Sequence, residues 1–188
     1  MSQALLLIDI QNDYFPGGAM ELVASSEAGK QAGQLLGAFR DARLPVIHIQ
    51  HIANRPGATF FLPGTPGEEI HPCVAPAAEE PVFRKHMPNS FRDTGLLAYL
   101  REHKITELAI AGMMTHMCVD TTVRAAFDLG FSCTVAHDAC ATRDLAFEGR
   151  TVAADQVQTA YLAGLSPLFA RALTVEEVIA LIRQSKGA

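Results

Sequence analysis

From Ala4 to Asp9 the apolar positions run almost without interruption, the pattern of a strand buried on both faces of a sheet. Beyond Ser25 and Ser26, which can cap a helix, Ala28, Ala32, Leu35, Leu36 and Phe39 recur at helical spacing and predict a helix to about Arg43. Pro45 opens a second strand at Val46–Gln50, and Pro81–Arg84 reads as a brief third one. Asp93 or Thr94 starts a helix through Leu96, Leu97 and Leu100 to His103. The fourth strand is Glu107–Ala111, followed by a helix-like run over Val119–Gly130 with Cys118 at its first turn. Ser132–Ala136 is the fifth strand, a helix spans roughly Glu148–Gly164, and a sixth strand lies near Leu168–Ala172. Thr174 and Glu177 make a capping box for a last helix ending near Gln184. Strands and helices alternating at this spacing predict an α/β fold. It is a three-layer, doubly wound sheet of about six mainly parallel strands with helices on both faces.

One stretch breaks the rhythm. Ile52 to Glu80 holds Pro56, Pro63, Pro66, Pro72 and Pro76 with Gly57, Gly64 and Gly67, and no sustained periodicity. A connection this long inside a compact domain is usually functional, so 52–80 is a candidate lid or subunit contact, with Phe60-Phe61 either folding over the site or reaching it from a neighbouring subunit. No repeat or linker divides the rest, and 188 residues suit one domain, 1–188. The net charge of −5 gives no electrostatic footprint for nucleic acid. No apolar run approaches membrane-spanning length. The segment Met1–Asp9 lacks a basic n-region and reads as a first strand rather than a signal peptide. Cys73, Cys118, Cys133 and Cys140 show neither CxxC nor zinc-type spacing, so a reduced, cytoplasmic setting is expected. No GxGxxG follows the first strand, which sets aside a dinucleotide-binding protein.

In an open α/β sheet, ligands bind outside the carboxyl ends of the strands. Asp9 ends strand one, Lys85 follows strand three, and Cys118 follows strand four. Singly each has a plainer reading: Asp9 as a turn acid beside Gln11, Asn12 and Asp13, Lys85 as a solvated lysine, Cys118 as a small buried hydrophobe. Their convergence at one sheet edge carries the chemistry. A cysteine attacking an amide or ester carbonyl needs a proton acceptor, a charge that holds the thiolate, and donors for the oxyanion. Asp9 can accept the thiol proton and later deliver it to the leaving group. Lys85 supplies a fixed positive charge that lowers the thiol pKa and keeps Asp9 ionised. A helix start favours the thiolate too, and the turn Gly112–Cys118 offers backbone N–H groups. Cys140 lacks that hinge and reads as a supporting residue, and Cys133 as core.

Three segments together resemble the isochorismatase-like cysteine hydrolases, the family of nicotinamidases, N-carbamoylsarcosine amidase and the isochorismatases. They are Leu6–Phe15, Val82–Lys85 with Ser90-Phe91, and Gly112–Val119 with Thr122. The resemblance implies Asp9, Lys85 and Cys118 as a catalytic triad. It also implies a cis peptide before Met114, with the backbone N–H groups of Met114 and Cys118 as the oxyanion hole. By family pattern, nicotinamidases place an Asp-x-His pair after strand two to hold a metal; here those positions are His51 and Ala53. His48, His51 and His71 are the candidate replacements, but His48 and His51 lie three apart on an extended segment and project to opposite faces. No metal and no cofactor is expected.

Siderophore-type isochorismatases, by family pattern, often lack the nucleophilic cysteine, so Cys118 points to acyl transfer. Phe15 and Phe91 are expected to wall the substrate pocket, and Asn89 and His116 to supply polar contacts. Arg55, Arg84 and Arg92 could meet a substrate carboxylate, although surface arginine is the stronger reading. The function expected is a metal-independent cysteine hydrolase that cleaves a C–N bond of a small amide or carbamoyl-type metabolite. The alternatives are an isochorismatase-type vinyl-ether hydrolase and a catalytically idle member that binds a small metabolite. The expected partners are a small-molecule substrate and, from the resemblance, further copies of the chain in a homodimer or larger homo-oligomer; nucleic acid and membrane are not expected.

Overall fold

Six strands pair in parallel into one sheet, and its order places the chain's reactive groups together. The computed structural model describes residues 2–186. Its elements are β1 (Ser2–Ile8), α1 (Ser25–Asp41), β2 (Val46–His51), β3 (Val82–Lys85), α2 (Leu96–Glu102), β4 (Ile105–Met113), α3 (Asp120–Asp128) and β5 (Ser132–Ala141). A small antiparallel hairpin follows, β6 (Leu145–Phe147) with β7 (Arg150–Val152), then α4 (Ala154–Leu165), β8 (Arg171–Leu173) and α5 (Val175–Lys186). The sheet order is β3-β2-β1-β4-β5-β8, so strand order reverses between β1 and β4. A crevice opens at the carboxyl end of such a reversal. Among the described residues, no helix is long and apolar enough to cross a membrane.

The layers follow from the period-two geometry of β1. Leu5 and Leu7 pack with Leu35, Leu36 and Phe39 of α1 and Val178 and Ile182 of α5. Ala4, Leu6 and Ile8 pack on the opposite side with Leu96 and Leu100 of α2, Val123 of α3 and Leu165 of α4. Both faces are covered, which is why Ala4–Ile8 of β1 is an unbroken apolar run rather than an alternating one. Each such leucine or isoleucine, fully buried, contributes about 1.5–3 kcal/mol.

Several elements differ from the sequence expectation, each for a local reason. Ser25 is the first residue of α1 rather than its cap; the preceding Ala24 takes a left-handed conformation (φ 57°) and no side chain caps the helix. The expected helix at 148 begins only at Ala154. Glu148 and Gly149 both have positive φ (48° and 75°), a two-residue turn that closes the β6–β7 hairpin. The last strand comes later than expected, at Arg171–Leu173. β5 runs to Ala141, past Ala136, because its register on β4 shifts between Ile110 and Gly112. Within the shift, Asp138 is outside the β4–β5 ladder and its Oδ1 accepts from Val175 N at 2.8 Å, at the start of α5. The Thr174–Glu177 capping box is present, with Glu177 Oε2 accepting from Thr174 N at 2.7 Å.

The long 52–80 connection is pinned rather than loose. Gln11 Nε2 donates to the carbonyls of His51 (2.9 Å) and Glu68 (2.7 Å), and its Oε1 accepts from His51 N at 2.7 Å. Asn12 Nδ2 donates to Pro66 O at 2.8 Å. Buried Asp13 accepts from Phe61 N at 2.6 Å and Ala19 N at 3.1 Å. Three consecutive polar side chains after β1 therefore hold the loop against the carboxyl edge of the sheet. Phe61 is buried against Tyr14, with ring centroids 4.6 Å apart.

At the strand-order reversal, Gly112 of β4 lies opposite Ile8 of β1. A Cβ on Gly112 would land on the Ile8 carbonyl oxygen and 2.8 Å from Ile8 Cβ, and its φ of 152° disfavours any other residue. Gly112→Ala is expected to lower unfolding stability by about 3 kcal/mol or more, read as a shift in the urea midpoint. A wild-type midpoint would show that the two strands can separate there without cost.

Candidate active site

Asp9 follows β1 directly and takes φ 51°, a left-handed conformation that aspartate accepts more readily than most residues. Lys85 ends β3, two strands away, and His51 ends the intervening β2. Cys118 lies in a π-helical turn, Thr115–Val119, between β4 and α3. A hydrogen bond between Ser90 Oγ and Thr122 Oγ1 (2.9 Å) ties the segment after β3 to α3 and holds the Lys85 side of the site against the Cys118 side.

These residues meet around one buried ammonium. Lys85 Nζ stands 2.7 Å from Asp9 Oδ2, 3.0 Å from His51 Nδ1, 3.0 Å from the Met87 carbonyl and 3.3 Å from Cys118 Sγ. Asp9 and Lys85 are essentially inaccessible to solvent. An ammonium has only protons to offer, so His51 Nδ1 is an acceptor and the imidazole proton sits on Nε2. Among the described residues no backbone N–H reaches either Asp9 oxygen, so Lys85 is the cation that faces this carboxylate.

Burial works against the Lys85 charge, but Asp9 and then Cys118 outweigh it and raise the lysine pKa. His51 is pushed down to about 4, first by burial and then by Lys85, His86 and Arg55 against the opposing pull of Asp9. It is a neutral imidazole at physiological pH. Burial, then the neighbouring Cys118 and Asp9, raise the Tyr14 hydroxyl well above its ordinary value, so it stays a phenol. The Cys118 thiol is pushed far up, first by burial and then by Asp9, with Lys85 opposing. This reverses the expected thiolate. Cys118 is not at the open start of an α-helix but 4% exposed in the π turn before it, where lost solvation and a facing carboxylate keep the proton on sulfur.

Cys118 opens onto a cavity of about 240 Å³. Tyr14, Phe60, Met20, Met87, Met114 and Met117 form its apolar wall, and His51, His86, Arg55 and Arg143 its polar one. Larger hollows of about 360 Å³ (between α1 and α5), about 440 Å³ (beside Arg40 and Tyr99) and about 390 Å³ (beside Cys133) are not lined by a cysteine together with a carboxylate or a lysine, so chemistry rather than size locates the site.

The four side chains expected in the pocket are placed elsewhere. Phe15 stacks on His71 at 3.6 Å, against Gly29 and Cys73. Phe91 stacks on Phe131 at 6.0 Å, under the opposite face of the sheet. Asn89 Oδ1 accepts from Phe91 N at 2.9 Å, closing a turn. His116 Nδ1 meets Thr142 Oγ1 at 2.5 Å, on the far side of the π turn. Tyr14, one residue before Phe15, is the member of this pair that reaches the cavity, because the 3-10 turn Asn12–Tyr14 rotates the chain between them. The peptide between Met113 and Met114 is cis, and Met114 lines the cavity beside Cys118. Cys133 and Cys140 are buried in β5. Arg84 Nε donates to Gln50 at 3.2 Å, and Arg92 lies 3.5 Å from Asp93 at the surface.

Sequence reasoning did not single out His51 as part of the reactive cluster, although the strand-end rule that found Asp9 applies equally to the last residue of β2. Among the described residues, ligand atoms of Asp9, His51 and Cys118 lie within 4.8 Å of one another and in principle suit a metal. The arrangement does not fit one. Lys85 Nζ already touches all three, so a protein cation stands where the ion would. His48 and His71 do not join the cluster: His48 Nε2 pairs with Glu80 at 2.9 Å, and His71 Nδ1 accepts from Cys73 N.

Residues 3–177 match the Isochorismatase domain family. The isochorismatase family protein YddQ of Bacillus subtilis, itself uncharacterized, is 48% identical, with 94% of this chain and 98% of YddQ covered. A streptothricin hydrolase of Streptomyces noursei is 40% identical over 76% of this chain and 51% of its own length. A solved structure from Oleispira antarctica, assigned to the isochorismatase hydrolases, superposes with a TM-score of 0.92 at 49% identity, covering 95% of this chain and 96% of that one. The chain belongs to the isochorismatase family and is a hydrolase.

The electrostatics of the cluster give a signed expectation. Asp9 raises the Cys118 pKa and Lys85 lowers it, so Asp9→Asn moves thiolate formation to lower pH and Lys85→Met moves it to higher pH. Thiolate ultraviolet absorbance across pH, corrected with Cys118→Ala, reads both. Wild-type Cys118 titrating near neutrality, or shifts of the opposite sign, would contradict this assignment of charges.

Proposed function

We propose that this isochorismatase-family hydrolase cleaves the C–N bond of a small amide or carbamoyl compound through an acyl-enzyme on Cys118, without a metal. The observation that carries the reading is the Lys85 ammonium, which spans Asp9 Oδ2 at 2.7 Å and Cys118 Sγ at 3.3 Å beneath the cavity. It is a proton acceptor, a fixed cation and a nucleophile in mutual contact.

At rest the proton is on sulfur and the charge on Asp9. As Cys118 Sγ attacks the amide carbon, its proton passes to Asp9, and the thiolate character generated stands beside Lys85. The carbonyl oxygen becomes an oxyanion, with the backbone N–H groups of Met114 and Cys118 as its donors. Asp9 then protonates the departing nitrogen, the C–N bond breaks, and a thioester remains. Water attacks the thioester carbon and gives a proton to Asp9. Collapse releases the acid, and sulfur recovers its proton. Lys85 keeps its proton throughout, held charged by Asp9 at rest and by the thiolate character of Cys118 while Asp9 carries the transferred proton. The high resting pKa of the thiol suits this cycle: in the absence of a carbonyl, sulfur stays protonated and shielded from adventitious electrophiles.

A cysteine nucleophile suits an acyl group better than a vinyl ether, whose hydrolysis needs no thioester, and this favours the amide reading. Intact-mass spectrometry after brief mixing with a panel of primary amides is expected to find an adduct of the acyl mass in wild-type protein and none in Cys118→Ala. Asp9→Asn should lower kcat by about a thousandfold. Turnover without any Cys118 adduct, or turnover retained in Cys118→Ala, would overturn the acyl-enzyme.

A further inference from the structure

The cavity carries a charge opposite to that of the whole chain. The chain has a net charge of −5, yet no aspartate or glutamate lines the cavity, whereas Arg55 and Arg143 both do. They come from separate segments, Arg55 from the long loop after β2 and Arg143 from the connection between β5 and β6. Both are exposed at the mouth, and among the described residues neither guanidinium makes an ion pair or hydrogen bond with a protein group. Arg40 and Arg124, by contrast, are held by Glu80 and Asp120 at 2.7 Å and 3.0 Å.

Deeper in, the Asp9 charge is answered by Lys85, and His51 is neutral. The two guanidiniums are thus the uncompensated charges facing the space above Cys118. The long loop that carries Arg55 is fixed through Asp13 to Phe61 and through Gln11 to Glu68. The rest of the wall is adaptable: Met20, Met87, Met114 and Met117 are four of the chain's six methionines. At about 240 Å³ the cavity falls below the roughly 300–1,000 Å³ of drug-sized sites, so its ligand is small.

We propose that the substrate is a small anionic amide, with its carbonyl over Cys118 and its carboxylate received at the rim by Arg55 and Arg143. This rests on the amide-hydrolase reading for its carbonyl half and on the arginine pair for its acidic half. Guanidinium groups suit the second task because their planar fork matches a carboxylate.

The test uses pairs of amides that differ only in the charged end, succinamate against butanamide and glutaramate against pentanamide. Ammonia release gives kcat and KM, and calorimetry gives binding to Cys118→Ala. The acidic member of each pair is expected to have a KM about tenfold lower, with the gap shrinking as salt rises from about 0.05 to about 0.5 M. Arg55→Ala and Arg143→Ala should each narrow the gap about threefold or more through KM rather than kcat, with partial rescue by lysine at either position. Equal binding of acidic and neutral members to Cys118→Ala would overturn the proposal. So would a preference that survives in the double alanine variant. If Cys118→Ala shows arginine-dependent preference while wild-type protein turns over neither class, anion recognition stands and amide hydrolysis falls. If wild-type protein turns over both classes at equal KM, amide hydrolysis stands and anion recognition falls.

Discussion

One buried ammonium organises the candidate site. Lys85 arrives from the edge strand β3, Asp9 from β1, His51 from β2 and Cys118 from the turn after β4, and each of the three partners places an acceptor atom within 3.3 Å of Nζ. A buried ammonium without partners would lose its charge, and a buried carboxylate without a cation would gain a proton. Here Asp9 keeps the Lys85 ammonium charged against its burial. The cost of removing one partner from such a pair, about 3–5 kcal/mol, far exceeds what the intact pair contributes to stability. The pair is better understood as a constraint on geometry and protonation than as a brace for the fold.

The constraint reaches outward through the backbone. Gly112 lets β1 and β4 approach closely where strand order reverses, which brings the Asp9 turn and the Cys118 turn to the same crevice. Gln11 grips the backbone of His51 on both its N–H and its carbonyl, fixing the end of β2. Asn12 and Asp13 extend that grip to the 52–80 loop, which supplies Phe60 and Arg55 to the cavity. A segment that looks like an ordinary polar turn thus orders both an acceptor of the ammonium and one wall of the cavity.

The centre of the sheet is legible in the sequence because β1 and β4 are buried on both faces and carry the unbroken apolar runs Ala4–Ile8 and Leu108–Ala111. Asp9, Lys85 and Cys118 stand out as a group because all three follow predicted strands at one edge. What depends on local rotation stays hidden. The sequence points to Phe15 as a pocket wall, yet a single 3-10 turn gives the cavity Tyr14 instead. A helix start predicts an ionised Cys118, yet a π turn buries the thiol against a carboxylate. The β6–β7 hairpin escapes the pattern because its turn is Glu148-Gly149 rather than the stronger Asn-Gly or Asp-Gly signal. His51 is in view as a possible metal ligand, but its relation to the Lys85 proton can only come from the distance between them.

Because an ammonium can only donate, the imidazole of His51 reports on the whole cluster. Long-range proton–nitrogen NMR of histidine-labelled protein, with the His51 signals assigned by their loss in His51→Asn, reads its tautomer and charge directly. The ammonium-centred geometry predicts a single neutral tautomer with the proton on Nε2, unchanged across the neutral range and titrating only near a pKa of about 4. A proton on Nδ1, or an imidazolium at neutral pH, would mean that Lys85 does not donate to this ring and that the ammonium-centred site is wrong.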